Sequence, residues 1–124
     1  MLKKLIEDEI KKMLNGESQI EQKSSFDNGM IGKYVIVRCR DAGVHAGILK
    51  AYDGRQCLLH ESRRLWYWKV KGSGDFLSAI ALSGVHKDSK LGAPVNIHLT
   101  ENCEIIECTE ESEMSIRNQR VHNG

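Results

Sequence analysis

Tyr34-Val35-Ile36-Val37-Arg38-Cys39-Arg40-Asp41-Ala42-Gly43 is the stretch on which the fold turns. Val35, Val37 and Cys39 alternate with Ile36, Arg38 and Arg40. A period of two belongs to a β-strand, whose successive side chains leave opposite faces, so Arg38 and Arg40 are expected together on one face. Asp41-Ala42-Gly43 has turn chemistry, and Val44 to Tyr52, containing Gly47, reads as a second strand. Asp53-Gly54 is a strong hairpin signal that leads into Gln56 to Glu61 as a third strand, and Leu65 to Val70 supplies a fourth. Four strands with three short connections form an antiparallel meander, strongly bent or half-closed.

Downstream, Gly72-Ser73-Gly74 frees the backbone. Asp75 is placed to cap a short helix through Phe76, Leu77, Ile80 and Ala81 that ends at Ser83-Gly84. A loop from Val85 to Ala93 precedes Pro94. Val95, Ile97 and Leu99 then alternate into a fifth strand, Glu101-Asn102 turns the chain, and Cys103 to Cys108 makes a sixth. Thr109 before Glu110 and Glu111 is an N-cap signature for a last helix to about Arg117. Upstream, Leu2, Leu5, Ile6, Ile10, Met13 and Leu14 lie on one helical stripe, with Glu7 and Lys11, and Asp8 and Lys12, paired on the polar side. A helix this short needs something to dock on, a partner subunit being favoured over its own sheet. The expectation is an α+β fold: a bent antiparallel sheet or half-barrel of about six strands, an N-terminal amphipathic helix and one or two short helices. The organisation is a docking helix over 1–15, a linker over 16–33, a β-rich ligand-binding core over 34–117 and a tail over 118–124.

The 124 residues suffice for one domain that profits from oligomerisation, and the formal net charge is only +1. The charge is unevenly spread: nine Lys or Arg stand against three Asp or Glu between Lys33 and Lys71, and six Glu with no Lys or Arg run from Glu101 to Glu113. The basic middle suits an anion, whereas the acidic stretch argues against a nucleic-acid coat. Four cysteines without a Cys-x-x-Cys pair, and no leader before them, read as reduced thiols in a cytoplasmic protein. The five histidines lack metal-ligand spacing, so no metal and no cofactor is expected. No apolar run approaches the roughly 20 residues of a membrane span.

Ser62-Arg63-Arg64-Leu65-Trp66-Tyr67-Trp68-Lys69 concentrates the binding chemistry. In extended chain Trp66 and Trp68 share a face, and rings beside arginines sandwich a flat base and neutralise a phosphate. Core packing is the competing role for the same rings. Arg63 and Arg64 point to opposite faces, so one of them serves. Arg38 and Arg40 are phosphate candidates, His45 and Asn102 weaker polar ones, and Arg117 is placed to reach a neighbouring subunit. Gly43 and Gly47 admit a close backbone approach, although a strand bend accounts better for Gly47. Among catalytic patterns only His60-Glu61-Ser62 and His98-Leu99-Thr100 stand out. They resemble the paired His-x-Ser/Thr signature of the 2H phosphoesterases, which cleave cyclic phosphates by acid and base catalysis. That family expects a hydrophobic residue soon after each Ser/Thr, and here Arg63 and Glu101 follow.

A broader resemblance runs through Tyr34 to Arg38, Asp41-Ala42-Gly43-Val44-His45-Ala46-Gly47, Arg63-Arg64-Leu65-Trp66-Tyr67-Trp68, Leu77 to Val85, Leu99-Thr100-Glu101 and Ile105-Ile106-Glu107-Cys108-Thr109. Over roughly Tyr34 to Ile116 the chain resembles small bacteriophage and prophage proteins similar to the Thoeris anti-defence sponges. The resemblance implies a symmetric homo-oligomer, dimer or higher, in the cytoplasm of an infected bacterium. It implies binding of glycocyclic ADP-ribose, and in some members cyclic oligonucleotides, without cleavage. A phosphodiesterase working through His60 and His98, and a small nucleic-acid or host-protein binding module, are the alternatives.

Overall fold

A computed structural model of the chain describes residues 27–72, 74 and 76–123. The expected docking helix, most of the linker and the Asp75 cap lie outside the described residues. The elements run β1 (Tyr34–Cys39), β2 (Gly43–Asp53), β3 (Gln56–Tyr67), α1 (Leu77–Ser83), β4 (Lys90–Leu91), β5 (Val95–Leu99), β6 (Asn102–Glu107) and α2 (Glu110–Asn118). All six strands form one antiparallel sheet in the order β4-β3-β2-β1-β6, with β5 also on β3. The class is α+β, as the alternation and the caps predict.

Two expected strands are one. Gln56 to Glu61 and the start of Leu65 to Val70 are continuous in β3, which ends at Tyr67. The break read between them is a bulge: Ala46 pairs with Arg63 but Ile48 pairs with His60, so β3 carries one extra residue opposite Gly47. Glu61 absorbs it at φ 53°, the one positive φ at a non-glycine among the described residues. Gly47 is what lets the bulged backbone through. A Cβ there would stand 2.9 Å from His60 O and 2.9 Å from Ser62 Cα. The bulge also reverses the alternation. Leu59 faces one side of the sheet, and beyond the extra residue Arg64 takes that side while Arg63 turns to the other.

Each face carries a buried core. On one, Tyr34, Ile36, Ala46, Leu65 and Leu91 pack against Ile80 of α1 and Ile116 of α2. On the other, Val35, Val37, Leu49, Cys57, Leu59 and Leu99 form a second core, with Met30 packed on it. Each fully buried aliphatic side chain contributes roughly 1.5–3 kcal/mol. Residues 28–33, read from sequence as the end of the linker, are tied to β2: Asn28 N donates to Tyr52 Oη at 2.6 Å and Gly32 N to Leu49 O at 2.7 Å. All four cysteines are free, and burial pushes the Cys57 and Cys108 thiols up to about 11, which keeps them protonated and unreactive.

α2 starts as expected, with Thr109 Oγ1 accepting from Ser112 N at 3.1 Å and glutamates in the first turn. α1 begins after Phe76, which supplies no side-chain cap. The C-terminal end of α2 is closed from below by Arg63, only 2% exposed. Its guanidinium donates to Gly92 O at 2.7 Å and Ile116 O at 2.7 Å, and also to Gln119 O and Arg120 O. A cation fits there because the last carbonyls of a helix lack partners and carry the negative end of its dipole. The tail is therefore ordered: Val121 bridges Leu91, and His122 N donates to Leu91 O at 2.8 Å.

Arg63→Met is expected to lower stability by more than about 2 kcal/mol, since each hydrogen bond from a charged group is worth roughly 1.5–3 kcal/mol and the carbonyls would be orphaned. Chemical denaturation checks this, and a loss under half that size would mean the carbonyls find other donors. Gly47→Ala is expected to cost about 1–3 kcal/mol by forcing a methyl onto the bulged backbone. An unchanged melting temperature would show that β3 can move aside.

Candidate functional site

The register of the sheet sorts the candidate residues onto two faces. Val37 pairs with His45, His45 with Arg64, and Cys39 with both Gly43 and Asn102. Directly paired residues share a face, so His45, Arg64, Gly43 and Asn102 lie on the side of the second core. Arg38 pairs with Val44, on the helix side, where Arg63 and Arg117 also lie. The expected partnership of Arg38 and Arg40 does not form, because β1 stops at Cys39 and Arg40 lies in the turn, its N donating to Glu101 O at 3.0 Å. Trp66 and Trp68 do not pair either. Trp66 is 66% exposed, whereas Trp68, past the end of β3, is half-buried against the helix-side core.

Several candidate cations are occupied inside the chain. Arg38 Nε donates to Glu104 Oε1 at 2.9 Å, and Lys33, Arg55 and Lys71 pair with Glu107, Glu101 and Glu111 at 3.2, 3.8 and 4.0 Å. The acidic stretch of the sequence thus lies against its basic middle. Arg117, expected to reach a neighbour, bonds Glu61 and Glu113 and stacks 4.9 Å over the Tyr34 ring.

What remains on the other face is a compact group around Arg64. Its Cζ lies 5.7 Å from the Trp66 ring centroid, within cation–π range. A Cβ at Gly43 would come within 2.9 Å of Arg64 Nη2, and φ at Gly43 is 83°, so both space and backbone require glycine under the guanidinium. Among the described residues Arg64 has no carboxylate partner. His45, 4% exposed, places Nε2 2.8 Å from Ala42 O. A carbonyl only accepts, so Nε2 carries the proton and Nδ1 is left as an acceptor. Burial holds this imidazole below its ordinary value; the bond to Ala42 O opposes that shift, and the Arg64 cation adds to it. At the far end of the row, Asn102 has a buried Oδ1 without a hydrogen-bond partner among the described residues.

Chemically the group offers an open indole face and a guanidinium whose donors are free among the described residues, while the acceptors of His45 and Asn102 are buried. It can stack a flat ring and hold an anion. Lys90, 5.9 Å over the Tyr67 ring beside it, escaped the sequence reading because β4 pairs it with Tyr67 from across a loop. His60 and His98 share the helix-side face of adjacent strands, since Leu58 pairs with His98 and Leu59 with Ile97. His98 Nε2 lies 3.0 Å from Gln56 Oε1. A cleft of about 280 Å³ is lined by His98, Gln56, Tyr52 and Leu58, without His60. No cluster of His, Cys, Asp or Glu among the described residues is placed to hold a metal, and no helix there is long and apolar enough to cross a membrane.

Residues 32–116 match the family model described as a domain of unknown function, DUF6948, and the chain belongs to that family. No curated protein matches the sequence.

His45 gives the site a pH signature. Its folded value lies below the 6.5 of the unfolded chain, so the unfolded state binds protons first on acidification. Its contribution to stability is complete above pH 6.5 and is lost as pH falls through the folded value. Glu61, held below 4.5 by its hydrogen bond to Arg117, acts only at lower pH. Melting temperatures from neutral pH to about 5.5 should fall more for the wild type than for His45→Gln, whose amide keeps the bond to Ala42 O. Parallel curves would remove His45 from the account.

Proposed function

We propose that this protein is a phage anti-defence protein that binds and sequesters a cyclic nucleotide immune signal of the glycocyclic ADP-ribose type, and leaves its bonds intact. The supporting observation is the exposed Arg64–Trp66 pair, seated on Gly43 and free of any carboxylate among the described residues. The ring stacks the base and the guanidinium takes a phosphate.

Magnitudes then call for more than one copy. Sequestration against a tight receptor needs nanomolar affinity, about −12 kcal/mol. One stacked base gives roughly 1–3 kcal/mol and one charge-assisted hydrogen bond roughly 1.5–3, at most about half the requirement before ordering costs. A homo-oligomer that brings two such platforms to one ligand doubles that sum to about 5–12 kcal/mol, whose upper end reaches the requirement. The paired Lys33, Arg38, Arg55 and Lys71 speak against a nucleic-acid binder, because their charge is already spent on glutamates. The common face of His60 and His98 favours a second reading, a phosphodiesterase acting on the same class of ligand.

The deciding experiment incubates the protein with glycocyclic ADP-ribose, heat-denatures it and identifies what is released. Intact ligand is expected. A linear product would replace sequestration by cleavage through His60 and His98, and no retained ligand would end the proposal. Arg64→Ala and Trp66→Ala are each expected to weaken binding more than tenfold while the melting temperature holds, as both side chains are exposed. Unchanged affinity in both variants would place the site elsewhere.

A further inference from the structure

We propose that the C-terminal tail forms one wall of a second anion site, separate from the Arg64–Trp66 platform, which takes a small ligand carrying a pyrophosphate or similar multiply charged phosphate group. Two clefts of about 340 and 420 Å³ share Asp88 and Arg120 as lining residues. Lys90 and His122 line the first, and Lys87 and Gln119 the second. Among the described residues none of Lys87, Lys90 and Arg120 has a carboxylate within ion-pair distance. Asp88, the one acid in the walls, has its carboxylate 3.5 Å from His86 Nδ1, which accepts from Asp88 N at 3.1 Å and so leaves the carboxylate charged.

The walls are fixed to each other. Gln119 Nε2 donates to Lys87 O at 2.9 Å and to Ser89 O at 2.7 Å, so one side-chain amide ties the backbone that carries Arg120 to the backbone that carries Lys87. Arg63 holds the carbonyls of Gln119 and Arg120 from below, and His122 N is bonded to Leu91 O. Ser89, 5% exposed, bonds Lys69 through both donor and acceptor at 3.0 and 3.2 Å. Cations that line one cleft repel each other. A buried arginine and a side-chain amide fix Arg120 between Lys90 in one cleft and Lys87 in the other, and an anion that neutralises either pair gains because a preformed site avoids the ordering cost of binding.

The chemistry selects phosphate. Arg offers a planar fork and Lys a point charge, both matched to phosphoryl oxygens, and each cleft sets Arg120 and one lysine against the single carboxylate of Asp88. A nucleic-acid polymer would need the basic track to continue, whereas Lys33, Arg38, Arg55 and Lys71 are paired with glutamates. Each cleft has room for such an anion with a few waters, each of which occupies about 30 Å³.

The test is calorimetric titration of the full-length protein with inorganic pyrophosphate, beside Arg120→Ala, Lys87→Ala and Arg64→Ala. Saturable binding that weakens with salt is expected. It should fall at least tenfold in Arg120→Ala and in Lys87→Ala at unchanged melting temperature, and stay as in the wild type in Arg64→Ala. No saturable binding to the wild type, or wild-type binding in both tail variants, overturns the site. Equal loss in Arg64→Ala overturns its separateness, and loss of the platform's nucleotide binding alone leaves this site standing.

Discussion

One extra residue in β3, accommodated at Glu61 opposite Gly47, is the constraint on which the rest of the structure depends. Side chains on a strand alternate, so an insertion of one exchanges the faces of everything beyond it. Without it Arg63 would share the side of Cys57 and Leu59, and Arg64 would point into the helix-side core. With it Arg63 meets the end of α2, where four carbonyls accept its protons, and Arg64 reaches the opposite side beside Trp66. The same bulge shifts the register on β5, which pairs with Cys57 to Leu59 before it and with Ser62 beyond Glu61, and β4 takes over at Leu65. Arg117 fastens the kink to α2 by bonding Glu61 while it stacks on Tyr34. Bulge, helix end and tail are thus one connected unit.

Charge follows from that topology. A chain with a basic middle and an acidic stretch reads as a surface divided in sign. Instead β6 lies beside β1 and α2 follows it, so the glutamates of 101–113 fall against Lys33, Arg38, Arg55 and Lys71. These pairs are exposed and each contributes little to stability, with a median of about 0–1 kcal/mol. Their consequence is electrostatic: they cancel a field that would otherwise draw polyanions anywhere on the sheet. The cations left unpaired among the described residues gain specificity from that cancellation, since an anion finds attraction in few places.

The strand pattern was legible because period two is local: β1, β2, β5 and the turn at Asp53-Gly54 follow from residues a few positions apart. The Thr109 cap was legible for the same reason. The bulge was not, because His60-Glu61-Ser62-Arg63-Arg64 contains polar residues that read as a connection, and the glycine that permits it sits on the neighbouring strand. β4 is two residues long and carries no periodic signal. Of the candidate site, the opposite orientation of Arg63 and Arg64 was readable from alternation alone. Which of the two faces inward depended on the bulge, and the occupation of Arg38 and Arg117 depended on glutamates 66 and 56 positions away in the chain. The order of residues 119–123 rests on Arg63, Gln119 and β4, three contacts that no property of the tail itself announces.

Two adjacent arginines therefore meet opposite fates for one physical reason. A guanidinium keeps its charge in any protein environment, so burial is tolerable only where acceptors are already fixed. The end of a helix supplies them without a carboxylate, because its last carbonyls have no partners of their own. Arg63 is consumed by that need: four carbonyls take four of its five donors, and the side chain is buried away from any ligand. Arg64 finds an indole face instead, which attracts the cation but accepts no conventional hydrogen bond, and a glycine that gives it room. Among the described residues its donors consequently stay open. The difference between a structural and a ligand-binding arginine here lies in the acceptors opposite each residue, and the bulge decides which residue faces them.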